Sequence, residues 1–185
     1  MSPAREPIRV VGIDPGLAAT GIGVVAGKGT AVAQYAFGSI STRSDAPTAA
    51  RLERIYRRSL GVLEAERPHL VVMEDVFSLE AYPRSAILLG KVTGVILLAA
   101  CHAGVPVAEV PVREAKHVLT GNGNASKMQL EMAVRHALER QEPIRPYHAS
   151  DALGLALIGL YRYDRMAPRP QRAAPPGTGK VEPGR

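Results

Sequence analysis

The chain of 185 residues is long enough for one domain with a sizeable core and too short for most two-domain enzymes, which excludes a large multi-domain machine. Lys and Arg number 23 against 17 Asp and Glu, a net charge of +6; the stretch from Arg162 onward carries +4 and the body only +2, so the basic balance is a mild pointer to a polyanionic partner such as nucleic acid. A single cysteine, Cys101, excludes an internal disulfide framework and a cysteine-based zinc site and fits a reducing, cytoplasmic compartment.

In chain order, residues 1–8 read as a short N-terminal extension with no apolar core of signal-peptide length. Val10–Asp14 (VVGID) is an apolar run stopped by Pro15-Gly16, and Ile22–Ala26 is another stopped by Gly27-Lys28-Gly29, so both are predicted strands. Ala31–Ile40 is the third, and the short Gly-rich links make these antiparallel neighbours. The period then changes: Leu52, Ile55, Tyr56, Leu60 and Leu63 mark one side of a helix that starts near Asp45 and Pro47 and ends before Pro68. Leu70–Glu74 (LVVME) is a fourth, buried strand.

Arg84–Ala103 has helical length, and from Ile87 to Cys101 almost every side of it is apolar or small. Such a helix is covered on both sides, by its own core and by a second subunit. The longest wholly apolar segment in it, Val92–Cys101, is shorter than the ~20 residues that span a bilayer, so no membrane partner is expected. Val105–Val110 is a fifth strand, a short helix follows around Glu114–Leu119, and Gly121-Asn122-Gly123-Asn124 is a loop. Leu130, Ala133, Val134, Ala137 and Leu138 then repeat at i, i+3, i+4, i+7 and i+8 behind a capping-box pair, Ser126 and Gln129. The last element runs from about His148 or Ser150 to Tyr163 and closes a domain over residues 9–163. Residues 164–185 are a Pro/Arg-rich tail; from Ala167 it holds five of the fifteen prolines without apolar periodicity, so it is expected to be disordered. A meander followed by alternating strand and helix describes an α/β chain with a mixed sheet covered by helices.

Asp14 closes the first strand and Glu74 the fourth. If those strands lie side by side and parallel, both carboxylates emerge at one sheet edge, where open α/β sheets bind ligands. Two carboxylates that close together repel unless one is protonated or both share a cation, and oxygen donors suit Mg²⁺ or Mn²⁺. Asp-Pro-Gly is also a common turn opener, and Glu74-Asp75 also reads as a strand surfacing into solvent. Asp151 precedes the apolar run Ala152–Leu160, an expensive place for an unpartnered carboxylate; alternatively it complements a helix start capped by Ser150. If the helix begins by His148, that imidazole and Asp151 share a face. Gly121–Lys127 resembles a P-loop only in part, since the Gly before Lys127 and the hydroxyl residue after it are missing; the exposed amides and Lys127 suit one phosphate, or Lys127 is a solvated residue beside a cap.

The stretches GIDPGLAATGIGVV around Asp14, VVMEDVF around Glu74, SAILLGKVTGVILLAA, VPVREAKHVLTGNGNASKMQ and HASDALGLAL around Asp151 occur in that order from Val10 to Tyr161. Together they are similar to the RuvC crossover-junction endonucleases, the bacterial Holliday junction resolvases. GIDPG alone is shared with actin-like ATPases and sugar kinases; the full set is specific. The resemblance implies a ribonuclease-H-like fold with a mixed five-stranded sheet flanked by helices, a homodimer joined through the 84–103 helix, and recombination and DNA repair as the setting. It implies a substrate that is a four-way DNA junction, and as partner a branch-migration complex of the RuvA/RuvB type. Carried over by motif, Asp14, Glu74, His148 and Asp151 are the metal ligands for two Mg²⁺ or Mn²⁺ ions per active site. Lys127 steadies the scissile phosphate, Lys116 grips a phosphate, and Phe77 is the aromatic that wedges against bases at the junction centre. Arg84 and Lys91 are further DNA contacts. The reaction implied is phosphodiester hydrolysis giving symmetric nicks with 5′-phosphate and 3′-hydroxyl ends. Many family members carry aspartate where this chain has His148, and an imidazole there should move preference from Mg²⁺ toward Mn²⁺. Three other readings stand beside this one: an actin-like ATPase, which needs a second domain; a junction-binding protein without cleavage; and a nuclease acting on RNA or other branched structures.

Overall fold

The computed structural model describes residues 7–75 and 83–167, with only the backbone described for Pro83 and Arg84. The strands are β1 (Ile8–Asp14), β2 (Ala19–Lys28), β3 (Ala31–Ser41), β4 (Leu70–Glu74) and β5 (Val107–Val110). The helices are α1 (Thr48–Glu66), α2 (Pro83–His102), α3 (Val112–Thr120), α4 (Lys127–Ala137), α5 (Tyr147–Tyr161) and the single turn α6 (Tyr163–Met166). The sheet order is β3-β2-β1-β4-β5. The first three strands form the antiparallel meander, and β4 and β5 join β1 in parallel. This is the mixed five-stranded sheet expected from the strand pattern.

Alternation along β1 and β4 divides the interior into two cores. Val11, Ile13, Val71 and Met73 point to the side covered by α1 and α2, where they meet Ile55, Leu63, Val92 and Ile96. Val10, Leu70 and Val72 point to the side covered by α5, with Leu153, Ala156, Leu157 and Leu160. α5 lies against the sheet because Gly12, Gly21 and Gly23 leave room for its backbone. A Cβ on Gly12 would sit 1.9 Å from the Ala152 carbonyl oxygen, one on Gly21 would sit 1.9 Å from that of His148, and one on Gly23 would sit 2.5 Å from the Leu153 nitrogen.

Several element limits differ from the sequence reading, and some of the differences have a plain local cause. β5 begins at Val107 because the Val105 amide is bonded to the Ala100 carbonyl, finishing α2. α3 begins at Val112 because Pro111, without an N–H of its own, serves as N-cap. Leu138 is the C-cap of α4 and no longer helical. α5 begins at Tyr147 behind Pro146, which puts Ser150 inside the helix, fully buried, and removes it as a cap. The turn α6 carries regular structure to Met166, three residues past the expected boundary at 163.

α2 shows why length must be judged on the whole helix. Its window Ser85–His102 is 18 residues with mean hydropathy 1.7, apolar enough by composition to cross a membrane, although Val92–Cys101 alone is too short. Val92, Ile96, Ala99 and Ala100 bury one side in the core, and the other side leaves Ile87, Leu88, Leu97 and Leu98 between 38 % and 61 % exposed.

Candidate active site

The parallel pairing of β1 with β4 runs to Ile13 opposite Met73, so the next residues, Asp14 and Glu74, end the two strands side by side on the α5 face. The link after Asp14 is fixed: Thr20 Oγ1 donates to the Gly16 carbonyl at 2.8 Å, and the Thr42 amide donates to that of Ala18 at 3.0 Å. The first two turns of α5 supply His148 and Asp151 on one helix face. His148 Nδ1 lies 2.6 Å from Asp14 Oδ2; with Asp14 ionised, Nδ1 is the donor. Lys127, the first residue of α4, places Nζ 4.0 Å from Asp151 Oδ2. Its position follows from the capping box read in the sequence: Ser126 Oγ accepts from the Gln129 amide at 3.2 Å, and Gln129 Oε1 accepts from the Ser126 amide at 2.8 Å.

These groups line one cavity of about 230 Å³, together with Lys116 from α3 and the apolar Val112, Ala115, Leu130 and Leu155. A wider groove of about 720 Å³ between α1 and the β2–β3 face presents Arg54, Arg57 and Arg58 but no cluster of acids. The chemistry therefore belongs to the smaller cavity.

Burial, reinforced at Glu74 and Asp151 by neighbouring carboxylates, dominates its electrostatics. Burial pushes Glu74 up to about 7, helped by the charges of Asp14 and Asp151 and opposed by Lys127 and Lys116. Burial likewise pushes Asp151 up to about 6, with Asp14 adding to the rise and Lys127, His148 and Lys116 opposing it. Asp14 is raised chiefly by burial, against the hydrogen bond and charge of His148. Asp151 Oδ1 is buried without a hydrogen-bond partner. Among the described residues no three His, Cys, Asp or Glu side chains close around a common point as they stand. The donor set nevertheless fits a hard divalent cation: three carboxylates and an imidazole, one oxygen lacking a partner, and mutual repulsion that a cation would relieve.

Asp14, Glu74, Lys116, Lys127, His148 and Asp151 are thus brought together. Lys91 is not; it stands exposed on α2 and does not line the cavity. Phe77 lies outside the described residues, as does the side chain of Arg84. Sequence reasoning missed the apolar wall, Val112, Leu130 and Leu155, which reads simply as core. It also missed the role of Gly12, Gly21 and Gly23, whose alternation along two strands was the available signal for close backbone approach.

Residues 10–159 match the family model described as crossover junction endodeoxyribonuclease RuvC. The chain is 38 % identical over 151 residues to the protein of that name from Prosthecochloris aestuarii, covering 82 % of this chain and 80 % of the relative. It is 38 % identical over 152 residues to the one from Rhodopirellula baltica, covering 82 % and 85 %. Among solved structures it is similar to Thermus thermophilus RuvC in complex with a Holliday junction substrate, with TM-score 0.79, 36 % identity, and 85 % and 95 % of the two chains covered. The yeast mitochondrial Holliday junction resolvase Ydc2, at 10 % identity and TM-score 0.55 over 88 % of this chain and 82 % of that one, shares the fold.

Proposed function

Because the chain belongs to the RuvC family of crossover junction endodeoxyribonucleases, we propose that it resolves four-way DNA junctions by metal-dependent hydrolysis at the Asp14–Glu74–Asp151 cavity. The observation that carries this reading is the convergence of three carboxylates, Asp14 buried and Glu74 and Asp151 half-buried, with two lysines at the edge where β1 and β4 end. Asp14, Glu74, His148 and Asp151 would hold two Mg²⁺ or Mn²⁺ ions. Bound there, such ions supply an activated water and neutralise charge on the leaving oxygen.

The remaining work falls to the chain's own side chains. Lys127, beside Asp151, offsets negative charge on the phosphate under attack, and Lys116 grips a phosphate across the same cavity. Leu130 and Leu155 dry one wall, which strengthens those charge interactions. The His148–Asp14 hydrogen bond orients the carboxylate at the centre of the cluster. By resemblance to the family, Phe77 would wedge against bases at the junction centre, and Arg84 and Lys91 would be further DNA contacts. Attack on phosphorus with departure of the 3′ oxygen leaves 5′-phosphate and 3′-hydroxyl ends.

A homodimer formed on the exposed face of α2 would present two such cavities to a substrate with its own two-fold axis, giving one cut in each of two opposed strands. Within the cytoplasm, a RuvA/RuvB-type branch-migration complex would deliver the junction. The test is a synthetic four-way junction and a linear duplex of matched sequence, each incubated with Mg²⁺, Mn²⁺ or a chelator. Paired nicks in the junction alone, abolished by the chelator, are expected. Junction binding without cuts under either ion, or equal cutting of linear duplex or of matched RNA, would overturn the reading.

A further inference from the structure

Besides Asp14, the buried carboxylate among the described residues is Glu131, 3 % exposed in the second turn of α4. It does not line the cavity, and its polar contacts run to Ile144 and Arg135. Its Oε1 accepts a hydrogen bond from the backbone amide of Ile144 at 2.9 Å. The same oxygen is 3.0 Å from Arg135 Nε, an ion pair one helical turn on and not an aligned hydrogen bond. Arg135 Nη1 in turn donates to the Gln141 carbonyl at 2.9 Å, and the Arg140 amide donates to the Arg135 carbonyl at 2.9 Å. Ile144 is itself fully buried.

These bonds clamp both ends of the link between α4 and α5. Two residues separate Ile144 from the start of α5 at Tyr147, and His148 and Asp151 occupy the first two turns. The first turn also has no freedom on its sheet side, where Gly21 meets the His148 carbonyl. The other end of α4 carries Lys127 to Asp151. One helix therefore sets the height of α5 at its entry and places a cation beside its second turn.

We propose that Glu131 is a positioning residue of the nuclease site: by holding the Ile144 amide it fixes where α5 begins, and so seats His148 and Asp151 against Asp14. Without that acceptor the amide is buried and unpaired, a cost relieved by letting the link swell and α5 shift. Gln at this position keeps an acceptor for the amide and should preserve the site; Leu removes it.

This inference rests on the reading that the cavity is the nuclease site, and its test separates the two. Wild type, Glu131→Gln, Glu131→Leu and, as a core control, Leu63→Ala are compared below their melting temperatures. The readouts are Mn²⁺ affinity without DNA, single-turnover junction cleavage, junction affinity, and exchange of the Ile144 amide. Expected for Glu131→Leu are Ile144 exchange accelerated at least 100-fold, Mn²⁺ affinity weakened at least tenfold, cleavage slowed at least 30-fold, and junction affinity within threefold of wild type. Glu131→Gln and Leu63→Ala should keep Mn²⁺ affinity and cleavage within threefold. Native Mn²⁺ affinity and cleavage in Glu131→Leu would overturn the proposal, as would an equal loss in Leu63→Ala. If Glu131→Leu does not fold, exchange in the wild type decides: the Ile144, Asp151 and Ala152 amides should open together, and an Ile144 amide that opens alone would contradict the clamp. A wild type that neither binds Mn²⁺ nor cuts would instead sink the site reading.

Discussion

Glu74 and Asp151 hold protons more tightly in the fold than in the unfolded chain, because burial and the neighbouring carboxylates disfavour their charged forms. A carboxyl raised from its ordinary value contributes stability that is complete below the unfolded pKa and is lost as pH rises through the folded one. For Glu74 that window runs from about 4.5 to about 7, and for Asp151 from about 3.8 to about 6. The metal-free protein should therefore melt several degrees lower at pH 8 than at pH 5, given roughly 2–4 °C per kcal/mol for a domain of this size. Millimolar Mn²⁺ should restore the loss, and Glu74→Gln should raise the metal-free melting temperature at pH 8 and flatten the slope. Calorimetric melts across that range check this; a flat profile in wild type would contradict the crowded-carboxylate description. His148 belongs to the same scale. Replacing its imidazole by a carboxylate restores a hard oxygen donor and one negative charge, so His148→Asp should shift the ratio of Mg²⁺- to Mn²⁺-supported cleavage several-fold toward Mg²⁺. Titrations of rate against each ion read that ratio, and an unchanged ratio would remove His148 from the ligand set.

Packing of α5 on the sheet is what turns four scattered residues into a cavity. Gly21→Ala would force a methyl group to within 1.9 Å of the His148 carbonyl oxygen, so α5 must lift from β2. Overpacking of this kind costs about 1–3 kcal/mol or more. The variant should melt at least several degrees lower and cleave at least tenfold more slowly. Gly38→Ala, where a Cβ meets nothing within 4 Å, should match wild type in both measurements and serves as the control. The strands were legible in the sequence because their apolar runs end at Pro-Gly and Gly-Lys-Gly, and α4 because its capping box and apolar stripe agree. Asp14 and Glu74 were legible as strand-end acids facing one way, and Asp151 as a carboxylate entering an apolar helix. The start of α5 was not fully legible, since Pro146 opens a helix whose first residues look like polar loop. Glu131 gave no signal at all: on an amphipathic helix a glutamate reads as solvated, and its burial and its bond to the Ile144 amide appear only in the fold.

At the scale of the whole molecule, an apolar face of α2 stands uncovered among the described residues. Ile87 and Leu98 stand exposed three turns apart on α2, with Gly90 and Gly94 between them offering no side chain. A second copy seated there would bury this stripe and set two cavities in a fixed relation. If the proposed homodimer forms on this face, light scattering should show a dimeric wild type and a monomeric Leu98→Glu, with paired junction cleavage reduced at least tenfold and circular dichroism unchanged. A variant that remains dimeric would move the interface elsewhere. Charge also divides at this scale: the stretch from Arg162 holds +4 of the +6 total, while within the cavity two lysines face three carboxylates.

The central claim is that the carboxylates at the ends of β1, β4 and α5 cut a four-way junction through bound metal. The most direct measurement is single-turnover cleavage of an end-labelled junction by wild type, Asp14→Asn, Glu74→Gln and Asp151→Asn, with junction affinity measured in parallel. The expected result is symmetric nicks by wild type and at least a 100-fold slower rate in each variant, with junction affinity equal to or better than wild type because negative charge has been removed. Cleavage persisting at the wild-type rate in any two of the three variants would contradict the account.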